Sequence, residues 1–349
     1  MTLLLAALIC TVQTHGTFSI VALDTETGEF GVAVASKVLD VGYVVPWLKA
    51  DIGAVATQAY ANPYYGPWAL EAMEQGRSAD EALQLILERD TIPEERQVGI
   101  VDASGLAVAH TGDGTLAWSG HKTADGVSVQ GNILTGPEVI DSMLAVFQRT
   151  RGPLAERLLK ALKAGENAGG DKRGKQSAAL QVVIKNGGLY GVDDRLVDLK
   201  VVDNDDPVTE LQRIYDKWQY WFLSSAYLRL ADTEQGRSAV FLERVHAFLE
   251  HALEEDLEDA GIYNSLAWEF ALRQMYPEQT LQAAHKAHDL DPEAHYIMDT
   301  LAEAYYAAGD YEQAIFWEKE ALKKEPENKF YHAQLKKFED ALSDLKEKR

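Results

Sequence analysis

The chain has 349 residues, a length that at about 100–200 residues per domain suggests two domains. Its 46% hydrophobic and 25% charged composition supports a sizeable core and excludes a disordered chain. A net charge of -22 argues against nucleic acid or an anionic membrane surface as partner, since both draw affinity from clustered Lys and Arg.

The first feature in chain order is the apolar run Leu3-Leu4-Leu5-Ala6-Ala7-Leu8-Ile9-Cys10. It is far shorter than the roughly 20 residues that span a bilayer. It fits the apolar part of a secretory signal, with Thr14 and Gly16 placed for cleavage after Gly16, although no Lys or Arg precedes it. The other reading is a buried first strand or helix of an unprocessed cytoplasmic protein. Residues 1–16 are thus expected to be a signal peptide, and the mature protein periplasmic or secreted with no membrane span. Cys10 is the only cysteine, so cleavage would leave no thiol for disulfides, cysteine nucleophiles or Cys-based metal sites.

From Thr17 to about Asp206, short strands interleave with helices. Thr17–Asp24 and Phe30–Lys37 are joined by Thr25-Glu26-Thr27-Gly28-Glu29, a hairpin connection with its glycine. Gly31-Val32-Ala33-Val34-Ala35-Ser36 is small and apolar on both faces, which predicts a strand covered on both sides, and Ile52–Gln58 reads the same way. Helices are predicted over Pro67–Gln75 and Ala79–Arg89. Gln97–Asp102 and Leu106–Thr111 flank a turn, and Val127–Gly131 is a further strand. Helices start again at Gly136-Pro137 and Gly152-Pro153, where proline suits the first turn. Ala178–Ile184 and Leu196–Val202 close the pattern. Hairpins separated by helix pairs predict antiparallel sheets with helices packed outside, an α+β domain over residues 17–206.

From Pro207 the strand signals stop, and residues 207–349 read as an all-α domain. Its helices are predicted at about 208–230 and 235–255, followed by two segments that align with each other. Asp291-Pro292 and Glu325-Pro326 place prolines 34 apart, as are Ala287 and Ala321. With Leu301, Tyr305, Gly309, Ala314, Ala321 and Pro326 in place, the period resembles the tetratricopeptide repeat, TPR. A protein partner is the expected ligand of such helices.

Cleavage after Gly16 would make Thr17 the first residue, with hydroxyl and free α-amine on one carbon skeleton. A threonine hydroxyl is a weak nucleophile and needs a base in reach. A freed α-amine titrates near 7.7–8.0, so an appreciable fraction is neutral around pH 7. A lysine ammonium close by would favour both the neutral amine and an alkoxide. Lys37, at the end of the paired strand, is the candidate, its plainer reading being a surface lysine.

Six blocks, in order, resemble one bacterial family: Thr17-Phe-Ser-Ile-Val-Ala-Leu-Asp, Gly31-Val-Ala-Val-Ala-Ser-Lys37, Ala54-Val-Ala-Thr-Gln-Ala, Asn62-Pro63, Val129-Gln-Gly-Asn-Ile and the Gly169–Ala179 stretch. That family is domain of unknown function 1028, grouped with the N-terminal-nucleophile hydrolases, and the resemblance covers roughly residues 15–206. It implies a four-layer αββα sandwich, as in proteasome subunits, penicillin acylases and isoaspartyl aminopeptidases. The wider class hydrolyses amide bonds through an N-terminal Thr, Ser or Cys; the resemblance does not supply the family's own substrate, and a small amide or peptide-like molecule, with no cofactor, is the expectation here. Such sandwiches often associate, so a homo-oligomer is open.

Within that resemblance, Ser36 is placed to orient the amine, while Asn62, Asn132 and the Gly131 amide are oxyanion-donor candidates; loop Asn and Gly also serve simply as turn formers. Gln58 and Gln130 are further polar candidates at strand ends. In Gly169-Gly170-Asp171-Lys172-Arg173-Gly174-Lys175-Gln176-Ser177, so many glycines and charges before an apolar strand predict a loop passing a ligand. Asp171 and Arg173 could clamp the charged ends of an amino-acid-like substrate, since Arg holds carboxylates bidentately; Ser177 joins them as a substrate-binding candidate. An exposed turn with an Asp–Arg pair explains the same residues. No histidine spacing or zinc-protease signature points to a metal. The rival function is a catalytically silent domain of this fold whose helical repeats bind protein or cell wall.

Overall fold

The computed structural model describes residues 16–347. The predicted signal peptide, with Cys10 and His15, lies outside the described residues except for Gly16. Ten strands follow: β1 (Thr17–Asp24), β2 (Glu29–Ser36), β3 (Pro46–Lys49), β4 (Gly53–Ala59), β5 (Arg96–Asp102), β6 (Ala107–Thr111), β7 (Gly120–Ala124), β8 (Val127–Asn132), β9 (Ser177–Val183) and β10 (Arg195–Val201). Among them run helices α1 (Val41–Val44), α2 (Tyr65–Glu74), α3 (Ala79–Glu88), α4 (Glu138–Arg149) and α5 (Leu154–Asn167). The strands form a six-stranded sheet, β10-β9-β2-β1-β8-β7, and a four-stranded sheet, β3-β4-β5-β6, antiparallel throughout.

The strand sequences explain the packing. Every residue of β2 is buried, on both faces. On one face Val32 and Val34, with Val21 of β1, share a core with Ala54 and Ala56 of β4 and Val101 of β5. On the other, α5 comes so close over Gly31 that a Cβ there would lie 2.4 Å from Leu158 Cδ1. The four-stranded sheet turns Val55, Val98 and Ile100 toward Ala69, Ala72, Ala82 and Ile86 of α2 and α3. A capping box between Ser78 and Glu81 starts α3, satisfying amides that the first turn leaves unpaired. β3 and β7 were not expected. β3 has only four residues, and β7, Gly-His-Lys-Thr-Ala, is a polar edge strand with no apolar alternation to mark it.

Eight helices follow from Pro207 among the described residues: α6 (Pro207–Trp218), α7 (Ser224–Thr233), α8 (Ser238–Glu254), α9 (Ala260–Leu272), α10 (Pro277–Leu290), α11 (His295–Ala307), α12 (Tyr311–Lys324) and α13 (Lys329–Glu347). The chain divides into two compact units, residues up to Trp218 with Arg229–Val240, and Gln219–Leu228 with Phe241 onward. Composition therefore changes at Pro207, before the first unit ends. The reason is that α6 buries Val208, Leu211 and Tyr215, and Thr209 Oγ1 accepts from Lys163 Nζ of α5 at 2.7 Å.

In the second unit, helices pack through alanines. Ala283, Ala284, Ala287, Ala302, Ala314 and Ala321 are fully buried, and small side chains let helix axes approach. Three carboxylates are buried here as well: Asp299 and Glu303 of α11 and Glu318 of α12. Lys337 Nζ and Gln334 Nε2 of α13 both reach Glu303, at 2.6 and 2.7 Å. Asp299 and Glu318 face each other instead, and burial, first of all, raises the pKa of both.

Candidate active site

β1 lies between β2 and β8, so its first residue is flanked by the last residue of each neighbour. The register sets Thr17 opposite Ser36 on one side and Asn132 on the other. Residues directly opposite share a sheet face, which brings three polar side chains together at one end of the strands. Thr17 is 2% exposed, and its Oγ1 lies 3.0 Å from Ser36 Oγ. Ser36 Oγ donates its single proton to the Gly16 carbonyl, so it is the acceptor toward Thr17. Arg173 Nη2 donates to the same Gly16 oxygen at 2.8 Å. The carbonyl bonded to the Thr17 nitrogen therefore has two donors, one of them cationic.

The loop after α5 supplies that arginine. Positive φ at Gly169 (118°) and Gly170 (55°) turns the chain back, a conformation that glycine adopts without strain. The loop is tied to the chain just beyond β8 by Thr135 N–H to Gly170 O at 3.1 Å and Lys172 N–H to Ile133 O at 2.9 Å. Ile133 itself has φ 51°, an uncommon conformation for a β-branched residue, directly after Asn132. Asp171, 6% exposed, accepts from Arg173 Nη2 at 2.7 Å, from Arg173 Nε at 3.1 Å, from its backbone N–H at 2.9 Å and from Lys37 N–H at 3.0 Å. Beside this junction is a cavity of about 130 Å³ lined in part by Phe18, Ser36, Glu166, Gly170, Asp171 and Lys175.

Behind Thr17 a buried polar seam joins the two sheets. Ser19 Oγ donates to Gln58 Oε1 at 2.6 Å and accepts from Gln130 Nε2 at 2.7 Å; Ser128 Oγ donates to Gln130 Oε1 at 2.7 Å. Gln97 of β5 is the hub. Its Oε1 accepts from Gln58 Nε2 at 2.8 Å and Asn132 Nδ2 at 2.9 Å, and its Nε2 donates to the Gly131 carbonyl at 2.8 Å. Gln58 Nε2 also reaches the Thr17 carbonyl at 3.3 Å. Gly99 leaves room for the seam, since a Cβ there would sit 2.2 Å from Gln130 Oε1. In a low-dielectric interior such a connected network fixes strand ends more firmly than isolated bonds would.

The structure thus gathers Thr17, Ser36, Asp171 and Arg173 at one end of the strands, and sets Asn132, Gly131, Gln58 and Gln130 in the buried seam behind them, where their bonds are to the seam and not to the cavity. Three candidates stand apart in their bonding. The Lys37 side chain is exposed and donates to the Lys175 carbonyl at 2.8 Å; only its backbone N–H meets the site, through Asp171. Asn62 Nδ2 is held by Asp90 Oδ2 at 2.8 Å, in a cluster where Arg96 Nε binds the same oxygen at 2.8 Å. Burial alone would raise the Asp90 carboxyl, but Arg96 and Asn62 hold it well below the usual range. Ser177 Oγ donates to Val38 O at 2.6 Å and accepts from Val41 N–H at 3.0 Å, which anchors the turn after β2. Sequence reasoning missed Ser19, Gln97, Ser128 and the Gly16 carbonyl. The available signal was polar residues inside strands that are otherwise apolar on both faces.

Residues 17–211 match the family of unknown function (DUF1028). The chain belongs to this family. Among solved structures, DUF1028 protein SPO2555 from Silicibacter pomeroyi is similar, at 29% identity and a TM-score of 0.54, over 60% of this chain and 94% of that one. The DUF1028 match begins at Thr17, the first residue of β1, and ends within α6. Comparison with curated proteins finds no match. Among the described residues no group of three or more His, Cys, Asp and Glu side chains is arranged to hold a metal, and no described helix is long and apolar enough to cross a membrane.

Proposed function

We propose that this DUF1028 protein is an exported N-terminal-nucleophile amidohydrolase acting on a small amide or peptide-like substrate through Thr17. The reading takes the two sheets and their covering helices as an αββα sandwich of that class, and the helices of the second unit as TPR-like. What supports it is one arrangement: a carbonyl carbon adjacent to Thr17, its oxygen receiving Ser36 Oγ and Arg173 Nη2, with Thr17 Oγ1 3.0 Å from that same serine. Preorganised donors on a carbonyl oxygen are what acyl transfer needs, because charge develops on that oxygen as the nucleophile adds.

In the mature protein, freed of residues 1–16, the Thr17 α-amine takes the hydroxyl proton as Oγ1 bonds to the substrate carbonyl carbon. Ser36 and Arg173 donate to the resulting oxyanion. The carbon–nitrogen bond breaks, the leaving amine departs with the proton, and an ester on Thr17 remains. Water, deprotonated by the same α-amine, cleaves the ester and returns the hydroxyl. Export to the periplasm or medium provides the route to the free terminus, and the helical unit would present a face to a protein partner.

One observation favours the second reading, a catalytically silent fold serving a binding module. The Lys37 ammonium is engaged with the Lys175 carbonyl instead of Thr17. Edman sequencing of protein recovered from its native compartment separates the two readings. Thr17 as first residue, together with amide hydrolysis that Thr17→Ala abolishes, supports the enzyme. Any other terminus removes the nucleophile.

A further inference from the structure

Gly16 is the acyl group that the chain itself places on Thr17, and its surroundings describe what that position admits. Its carbonyl oxygen is held by Ser36 Oγ and Arg173 Nη2. Its α-carbon is pressed against Asp171. A Cβ on Gly16 would lie 2.7 Å from Oδ1, 2.8 Å from Oδ2 and 2.9 Å from Cγ of that carboxylate, closer than real Cβ atoms come to anything. The wall has little freedom to retreat. Asp171 accepts three hydrogen bonds from Arg173 and one from Lys37 N–H, its side chain is 1% exposed, and its backbone bridges to Leu134 just beyond β8.

We propose that Asp171 is a specificity-determining residue that bars acyl groups with an L-configured branch at the α-carbon from the Thr17 site, leaving those of glycyl or acetyl size. The proposal rests on the amidohydrolase reading. It names the acyl half of the substrate, which that reading leaves open. Arg173 has a double part in it: one nitrogen steadies the carbonyl oxygen while the same guanidinium locks the carboxylate that excludes a branch. The cavity of about 130 Å³ beside Ser36 and Asp171 is in keeping with a small acyl group.

The experiment uses protein with Thr17 as its first residue, verified by intact mass, and three p-nitroanilides: acetyl, glycyl and L-alanyl. Each turnover forms the Thr17 Oγ–acyl bond, releases p-nitroaniline carrying the hydroxyl's proton, and ends when water yields the free acid. Forcing an L-configured methyl into a closed site predicts kcat/KM roughly 10–100-fold lower for L-alanyl than for acetyl and glycyl. In Asp171→Ser the ratio between unbranched and branched substrates closes to within about threefold, although every rate falls because Arg173 loses the carboxylate that holds it. Equal rates for branched and unbranched substrates in the parent protein overturn the proposal and leave the amidohydrolase reading standing. No turnover beyond that of Thr17→Ala for any of the three overturns both. Should Asp171→Ser not fold, the wall is tested without catalysis, in the full chain carrying Thr17→Ala. There Gly16→Ala lowers the melting temperature by roughly 3–10 °C if the wall is rigid, and an unchanged melting temperature refutes it.

Discussion

Gln97→Leu tests whether the polar seam holds the two sheets in register around Thr17. The substitution keeps the volume and removes every polar atom of a side chain that is 0% exposed. Asn132 Nδ2 loses its bond to Gln97 Oε1 at 2.9 Å, Gln58 Nε2 loses one at 2.8 Å but keeps the Thr17 carbonyl at 3.3 Å, and the Gly131 carbonyl loses a donor at 2.8 Å. Leaving a buried polar group unsatisfied costs about 1–3 kcal/mol. With Asn132 Nδ2 left unsatisfied, and Gln58, Thr111 Oγ1 and the Gly120 and Gly131 carbonyls each losing one partner, the expected loss is about 3 kcal/mol. Leucine recovers a little of it through apolar burial. The assay is guanidinium unfolding of the full chain followed by far-ultraviolet circular dichroism, reading the midpoint of the first unit. A variant as stable as the parent would refute the reasoning, since the seam would then be incidental to the packing of Val21, Val34, Ala54 and Val101.

Three further outcomes are expected. Ser36→Ala removes a donor from the carbonyl oxygen and should lower kcat about 100-fold or more with KM little changed, measured by steady-state amide hydrolysis. Lys37→Met should keep kcat within about threefold and stability within about 0.5 kcal/mol, because the ammonium is exposed and turned to Lys175; a 100-fold fall would restore it to the nucleophile. The third concerns pH. Burial, then the neighbouring carboxylates, pushes Glu318 up to about 9, and burial raises Asp299 to about 7 with Glu303 adding to it, while Lys337 lowers both and Tyr331 lies close by. Folded protein therefore binds these protons more tightly than unfolded protein, whose carboxyls titrate near 4. The stabilisation is complete below about pH 4 and is lost as pH rises through about 7 and 9. Thermal melts of the full chain from pH 5 to 9 should show the helical unit weakening with pH, and Glu318→Gln should flatten that fall.

Much of the first unit was legible because its strands are apolar on both faces and its turns carry their glycines. β1, β2, β4, β5 and β9 fall within one or two residues of the expected spans. What escaped has physical causes. β7 is a polar edge, and β3 is too short to show alternation. Ser36 and Asn132 came with the family resemblance, and the antiparallel register supplies the reason they meet Thr17, because it brings strand termini together. Gln97 could not, since its role depends on which sheet faces which. Asn62 bonds Asp90, a partner no pattern announced, because a loop asparagine beside a strand end looks the same whether it faces a substrate or a buried Asp90–Arg96 pair. The helical period of 34 residues marked α10 and α12, whose final turns hold Ala287 and Ala321. The three buried carboxylates within that unit were invisible, because charged residues on helices are ordinarily solvated.

The account stands on a free amine and a reactive hydroxyl at residue 17. Protein isolated from its native compartment and treated with a β-lactone probe should gain one adduct by intact mass. Peptide mapping should place it on an N-terminal peptide beginning at Thr17, and the adduct should be missing in Thr17→Ala. A terminus elsewhere, or labelling indifferent to Thr17→Ala, would contradict it.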